Sequence, residues 1–353
     1  MRRRVLFPLA LIMIAAVAAL YWFSRPAPIL TVTTWAGAYG RAQAAALMRP
    51  YAAEKSVDVR IAQWDGDLGE VEAAVNARKY KGDVIDFELP RAVEACRKGL
   101  LERIDPDILP DRRDFVPGAI GPCWVGSMVY SQVMIYSPRL RRAPRTLADF
   151  FDRARFPGRR ALSRASAKYN LEMALLADGV PPSEVYRTLA TPEGLDRAFA
   201  KLKALNPIWA HDSIDALHWV KNGQAVMATA LNGDVYDSAK KDFAPGILWD
   251  RQLYEFDVFA IPSGDPNKKR ALDFIAWATG AAPLAAMADW VPYGPARRSA
   301  LALVKNNPEL GTPMRPWLPT APAHFARAFA VDDGWWLDHG AALGARWQQF
   351  VSR

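Results

Sequence analysis

Between Ile29 and Phe87 the chain alternates between runs of β-branched residues and runs with apolar positions at helical spacing, and this alternation limits the fold more than any other feature. Ile29 to Trp35 is rich in Ile, Val and Thr, whose crowded χ1 suits a pleated strand better than a helix. Tyr39 to Lys55 is Ala-rich with a helical period, Val57 to Gln63 alternates as a strand, Leu68 to Arg78 reads as helix, and Val84 to Phe87 as a buried strand. The order is βαβαβ. Parallel neighbours need a crossover connection, so such units close as a mainly parallel sheet covered by helices, with ligand groups at the carboxyl ends of the strands. The loop from Trp35 to Gly40 lies at such an end.

A second stretch behaves as its own unit. After the apolar run Val125 to Tyr136, the segment Pro138 to Pro144 breaks the pattern, and helices are predicted at Leu147 to Phe151, Tyr169 to Ala177 and Thr191 to Leu205. Thr191 supplies an N-cap and Pro192 the first helical position. Asp212 to Asn222 reads as helix stopped by Gly223, and strands are predicted at Ala225 to Leu231 and Ile247 to Trp249. The chain then returns at Val258 to Ile261. Helices at Lys268 to Thr279 and Asp332 to Phe350 close it, the last with Trp336, Leu343, Trp347 and Phe350 on one face. The length exceeds one typical core, so two lobes are expected. The limits read from the sequence are 29–130 for the first part of lobe 1, 131–256 for lobe 2, 257–305 for the return to lobe 1, and 306–353 for a C-terminal helical segment.

Ahead of these units, Arg2, Arg3 and Arg4 precede an uncharged run from Val5 to Phe23. A basic start and an apolar run are what the secretion machinery reads, so residues 1–28 form a signal peptide or an N-terminal anchor. Cleavage after Ala18 gives a periplasmic protein; Tyr21, Trp22 and Phe23 acting as an interfacial belt would keep the leader in the membrane. The net charge of +8 falls to +5 without the leader arginines, 42 basic against 37 acidic residues. No Lys/Arg stripe with interleaved aromatics accompanies that surplus, which argues against a nucleic-acid partner. Cys96 and Cys123 are the only cysteines. In an oxidising compartment the pair is expected as a disulfide, worth roughly 3–4 kcal/mol by the chain-entropy argument, with two buried thiols as the alternative.

Several segments together resemble a known family. Thr34-Trp35-Ala-Gly-Ala-Tyr39-Gly40, Gly82-Asp83-Val-Ile-Asp86-Phe-Glu88, Phe156-Pro-Gly158, Leu171-Glu-Met-Ala-Leu-Leu-Ala-Asp-Gly179, Asn232-Gly233, Asp257-Val-Phe-Ala-Ile-Pro262 and Pro292-Tyr293-Gly294-Pro295 are similar to the extracellular solute-binding proteins of ABC transporters, spermidine/putrescine-binding type. The resemblance implies an α/β, two-lobed periplasmic-binding-protein-like fold (type II) with the solute in the cleft between lobes. It also implies partners in the inner membrane, an ABC permease and its ATPase, and a monomeric receptor without cofactor or metal. Trp35 and Tyr39 match an aromatic loop after the first strand, Asp257 an amine-pairing carboxylate, and Tyr293 an aromatic near the cleft mouth. Ordinary core aromatics and a capping carboxylate are the competing readings of these residues.

The departures from that type matter as much. Where polyamine receptors place carboxylates ahead of the Leu171 segment, this chain has Ser166-Ala-Lys168-Tyr169-Asn170, and a cleft-facing Lys168 would repel a cation. Leu231 and Glu255 stand where tryptophans are expected. Glu88, Asp234 and Glu255 are the candidates for substitute negative charge, and Tyr169 joins the ligand-facing set. The main expectation is a polyamine-like organic cation as solute. The alternative is an opine or amino-acid-like zwitterion accommodated by Lys168 and Arg164; a membrane-anchored sensory or scaffold protein on the same fold is the reading from another class. Enzymatic readings lack a motif. His211 and His218 have no third ligand at useful spacing, Ser127 lacks the glycines of a nucleophile elbow, and no phosphate loop or dinucleotide fingerprint is present.

Overall fold

The computed structural model describes residues 27–352; the leader and its cleavage site lie outside the described residues. Eight principal strands form one continuous sheet. They are β1 (Ile29–Trp35), β2 (Asp58–Trp64), β3 (Val84–Glu88), β4 (Trp124–Tyr136), β5 (Arg160–Ser163), β6 (Ile208–Ala210), β7 (Met227–Leu231) and β8 (Gly246–Ala260), in the order β2-β1-β3-β8-β4-β7-β5-β6. The short β9 (Gly294–Pro295) joins β4, and β10 (Phe329–Ala330) joins β8.

Each end of that sheet is parallel, β2-β1-β3 in lobe 1 and β7-β5-β6 in lobe 2, as the alternation predicts. The middle is antiparallel, because β4 and β8 run through both lobes beside each other and pair with β3 on one side and β7 on the other. This is the two-lobed periplasmic-binding-protein architecture. The sequence limits at 130/131 and 256/257 therefore fall inside the two crossing strands. Separate strands at Ile247 to Trp249 and Val258 to Ile261 are replaced by the single β8. Its interruption is Arg251 in a left-handed conformation (φ 58°), where the register to β4 shifts between Gln132 and Met134 and then resumes.

Helices follow the pattern closely. The segment after β1 is helical over residues 37–55, with a π turn at Ala44–Met48 directly after Gln43. Gly40 is demanded by packing, since a Cβ there would lie 2.0 Å from the Trp35 carbonyl oxygen. Cys96 in the helix Leu89–Arg97 is bonded to Cys123, Cα–Cα 5.9 Å, so that helix is tied to the chain one residue before β4 begins. The C-terminal helix Asp333–Val351 buries Leu343 and Trp347 against lobe 2, with Trp209 meeting Trp347 edge-on at 5.3 Å. It also reaches lobe 1, where Arg97 pairs with Asp338 at 2.5 Å.

Candidate ligand-binding site

Strand periodicity assembles the lobe 1 wall. Asp86 and Glu88 are two apart on β3 and share a face, and the antiparallel register sets Glu88 opposite Asp257 on β8. Asp86 is fully buried, and one of its oxygens accepts from Gln43 Nε2 (3.0 Å) and Thr34 Oγ1 (3.2 Å). The π turn thus begins where Gln43 must face the sheet. Asp257 is buried, and its Oδ2 has no hydrogen-bond partner among the described residues; nor has the buried Tyr39 hydroxyl. Burial drives the carboxyls of Asp86 and Asp257 well above the usual range, and Asp86 and Glu88 add to the effect at Asp257. Glu88 is exposed to the open cleft yet walled by protein, and partial desolvation with Glu255 nearby raises it too. Burial likewise pushes up the Tyr39 phenol, with Asp257 and Asp86 reinforcing it.

Three tyrosines continue from this acidic floor. Tyr39 lies 5.7 Å from Tyr293, and Tyr293 lies 6.0 Å from Tyr130. Tyr293 in turn abuts Gly233, where a Cβ would sit 3.0 Å from its ring. Tyr130 lines a cavity of about 330 Å³ between the lobes, together with Glu88, Gln132, Tyr169, Asp234 and Glu255. Lys168, Asn170, Ser213 and Thr229 complete its lobe 2 side.

On that side the protein supplies its own counter-ion. The Lys168 ammonium donates to Asp333 Oδ1 at 2.6 Å and to Glu255 Oε1, and the Tyr169 hydroxyl donates to the other Glu255 oxygen. The Lys168 side chain is 15% exposed, and those of Glu255 and Asp333 are 1%. Burial alone would lower the Lys168 ammonium, but Glu255 and Asp333 hold it above its ordinary value. Burial, with Glu255 close by, pushes the Asp333 carboxyl up to about 9 against the pull of Lys168. Tyr169 has φ 69°, ψ −44°, a left-handed backbone that a bulky residue adopts only under local constraint; such strain gathers at ligand clamps.

The eight sequence candidates thus divide. Glu88, Tyr169, Asp234 and Glu255 line the cavity; Tyr39, Asp257 and Tyr293 lie in the adjoining acidic and aromatic layer; Trp35 meets Trp64 at a tilt, 5.2 Å between ring centres, and does not line that cavity. Arg164 is also absent from its lining. Lys168 does border it, but with its charge compensated. Asp86, Tyr130, Gln132 and Asp333 were not singled out from the sequence. The alternation Asp86-Phe87-Glu88 carried the signal for Asp86, whereas Asp333 reaches the site only through a tertiary contact spanning 165 positions. Among the described residues no group of three or more His, Cys, Asp or Glu is arranged to hold a metal ion.

Comparison with known proteins agrees with this geometry. Residues 46–312 match the family of bacterial extracellular solute-binding proteins. A gamma-aminobutyric acid-binding protein of Pseudomonas aeruginosa is 38% identical over 327 residues, 92% of this chain and 91% of that protein. A GABA receptor of solved structure superposes with a TM-score of 0.74 at 30% identity, covering 91% of this chain and 97% of the other. MotA of A. tumefaciens B6, solved in complex with glucopine, gives 0.70 at 26% identity over 91% and 99%. The chain belongs to the bacterial extracellular solute-binding protein family, and it is an exported receptor that serves an ABC importer rather than an enzyme.

Proposed function

We propose that this receptor captures a small amino-acid-like zwitterion, a four-carbon ω-amino acid of the 4-aminobutyrate kind fitting best. The observation that carries the reading is the buried pair Asp86 and Asp257, which no Lys or Arg neutralises by an ion pair among the described residues, with Glu88 beside them on the open cleft. Carboxylates buried without a counter-ion are costly, and a ligand ammonium supplies one. Tyr39 and Tyr293 offer aromatic faces to the same cation. The ligand's carboxylate then reaches the lobe 2 wall, where Lys168, Asn170, Ser213 and Thr229 border the cavity. At about 330 Å³ that cavity lies at the small end of ligand sites. The GABA-binding relatives and the glucopine complex support a zwitterion over the polyamine that the sequence motifs first suggest. A trapped solute stabilises the closed state by its differential affinity, and the closed form is what a permease and ATPase would receive.

Calorimetry on the exported protein tests the reading with 4-aminobutyrate, glucopine and spermidine. Binding of 4-aminobutyrate with no detectable spermidine heat is the expected result. Spermidine binding without response to either zwitterion would overturn it.

A further inference from the structure

We infer that Lys168 is a resident cation that fills the second amine site of a diamine-type cleft and so selects a ligand with one ammonium and one carboxylate. The inference rests on the zwitterion reading and names the residue that enforces it.

The surroundings of Lys168 are those expected of a bound organic ammonium. Two nearly inaccessible carboxylates, Glu255 and Asp333, accept from it, and its Nζ stands 5.4 Å from the centroid of the Tyr169 ring. Carboxylates with an aromatic face are the chemistry by which a cleft holds one end of a diamine. Here the amine arrives on the protein's own side chain, at very high effective concentration, so an external ammonium has little to gain by displacing it. The loop that delivers it is held firmly. Asn170 Nδ2 donates to the Ser163 and Ser166 carbonyls at 3.0 and 2.8 Å, and Lys168 N donates to Ser166 Oγ at 3.1 Å.

Spacing supports the assignment. Glu255 and Asp257 are two residues apart on β8, in unbroken register with Tyr130 and Met128 of β4, and therefore share a face. At about 3.4 Å of rise per residue they are separated by roughly 7 Å along the strand, the reach of a four-carbon chain between terminal heteroatoms. Without Lys168 these two positions would suit the two ammoniums of a short diamine. With Lys168 present, the Glu255 position shows the ligand a cation instead. An ammonium has three donors, and the two carboxylates account for two of them, so the third is available to a ligand carboxylate.

The test is a specificity exchange read by calorimetry and thermal shift with 4-aminobutyrate and putrescine. Wild-type protein should bind 4-aminobutyrate and show at least a hundredfold preference over putrescine. Lys168→Met should lose at least tenfold in 4-aminobutyrate affinity, gain at least tenfold for putrescine, and rise in melting temperature when putrescine is added. Lys168→Gln, which removes the charge but keeps an amide donor, should move the same way and guards against failure of the Met variant to fold. Lys168→Arg should keep the wild-type preference. An unchanged preference in folded Lys168→Gln, or an Arg variant behaving like the Gln variant, overturns the inference. Wild-type protein that ignores 4-aminobutyrate, paired with variants that gain putrescine binding, would overturn the zwitterion reading while leaving the role of Lys168 standing.

Discussion

The two walls of the cleft handle charge in opposite ways. On the lobe 1 side, burial raises Asp86 and Asp257, acidic neighbours add to it, and among the described residues no basic side chain is ion-paired to either. On the lobe 2 side, Glu255 and Asp333 are equally inaccessible but share the Lys168 ammonium. Burial is therefore not what distinguishes a ligand-ready carboxylate from a structural one in this molecule. The distinction is whether the chain supplies the counter-ion itself. A wall left without a counter-ion stores a demand that a solute's ammonium can meet, whereas the wall that carries its own ammonium turns a cation towards the solute's carboxylate.

The largest effect should come from the unbalanced wall. Asp257→Asn is expected to weaken 4-aminobutyrate binding by about 2–5 kcal/mol, far more than Trp35→Phe, with both proteins folded. Calorimetry checks this, and equal losses in the two variants would break the contrast. A second effect should appear behind the balanced wall. Glu172 is fully buried in the helix Asn170–Ala177, where it accepts from Trp336 Nε1 at 2.5 Å and Tyr186 at 3.2 Å, and burial lifts its carboxyl to about 7. An acid whose folded value is raised binds its proton more tightly in the native state. Its contribution is therefore fully present below about pH 4.5 and is lost as pH rises through about 7, on the order of 3 kcal/mol. Denaturant titration from pH 4.5 to 8 should show that fall, and Glu172→Gln should flatten it. The smallest effect is expected at the tyrosine layer. Tyr293→Phe keeps the ring that meets Tyr39 and Tyr130, so affinity should change by less than about 1 kcal/mol, whereas Tyr293→Ala should cost about 0.5–1.5 kcal/mol more through the lost aromatic pairs.

What could be read from the sequence was whatever depends on local period. The βαβαβ start, the capped helix Pro192–Leu205, and the buried face of the C-terminal helix all follow from spacing over a few residues. The cysteine pair needed only compartment logic, and it is bonded. What depends on distant partners was misjudged or missed. Lys168 reads either as a charge that repels a cation or as a partner for a zwitterion, and its two holders, Glu255 and Asp333, lie 87 and 165 positions away, beyond any local pattern. The continuity of β8 was hidden by Arg251, whose left-handed backbone interrupts the alternation without ending the ladder. Specificity lay on the same side of that divide. The family's motifs are local and point towards polyamines, while the balance of charge across the cleft is a property of the assembled sheet.

That sheet passes from one lobe to the other without a gap. β4 and β8 stay paired from Trp124 with Ala260 to Tyr136 with Gly246, relieved only by the shifts near Ser127 and Arg251. The two longest crossings between the lobes are therefore strands held in one ladder rather than free loops. At the foot of β4 the disulfide fastens that ladder to the helix Leu89–Arg97, so one end of the crossing is anchored covalently to the frame of lobe 1.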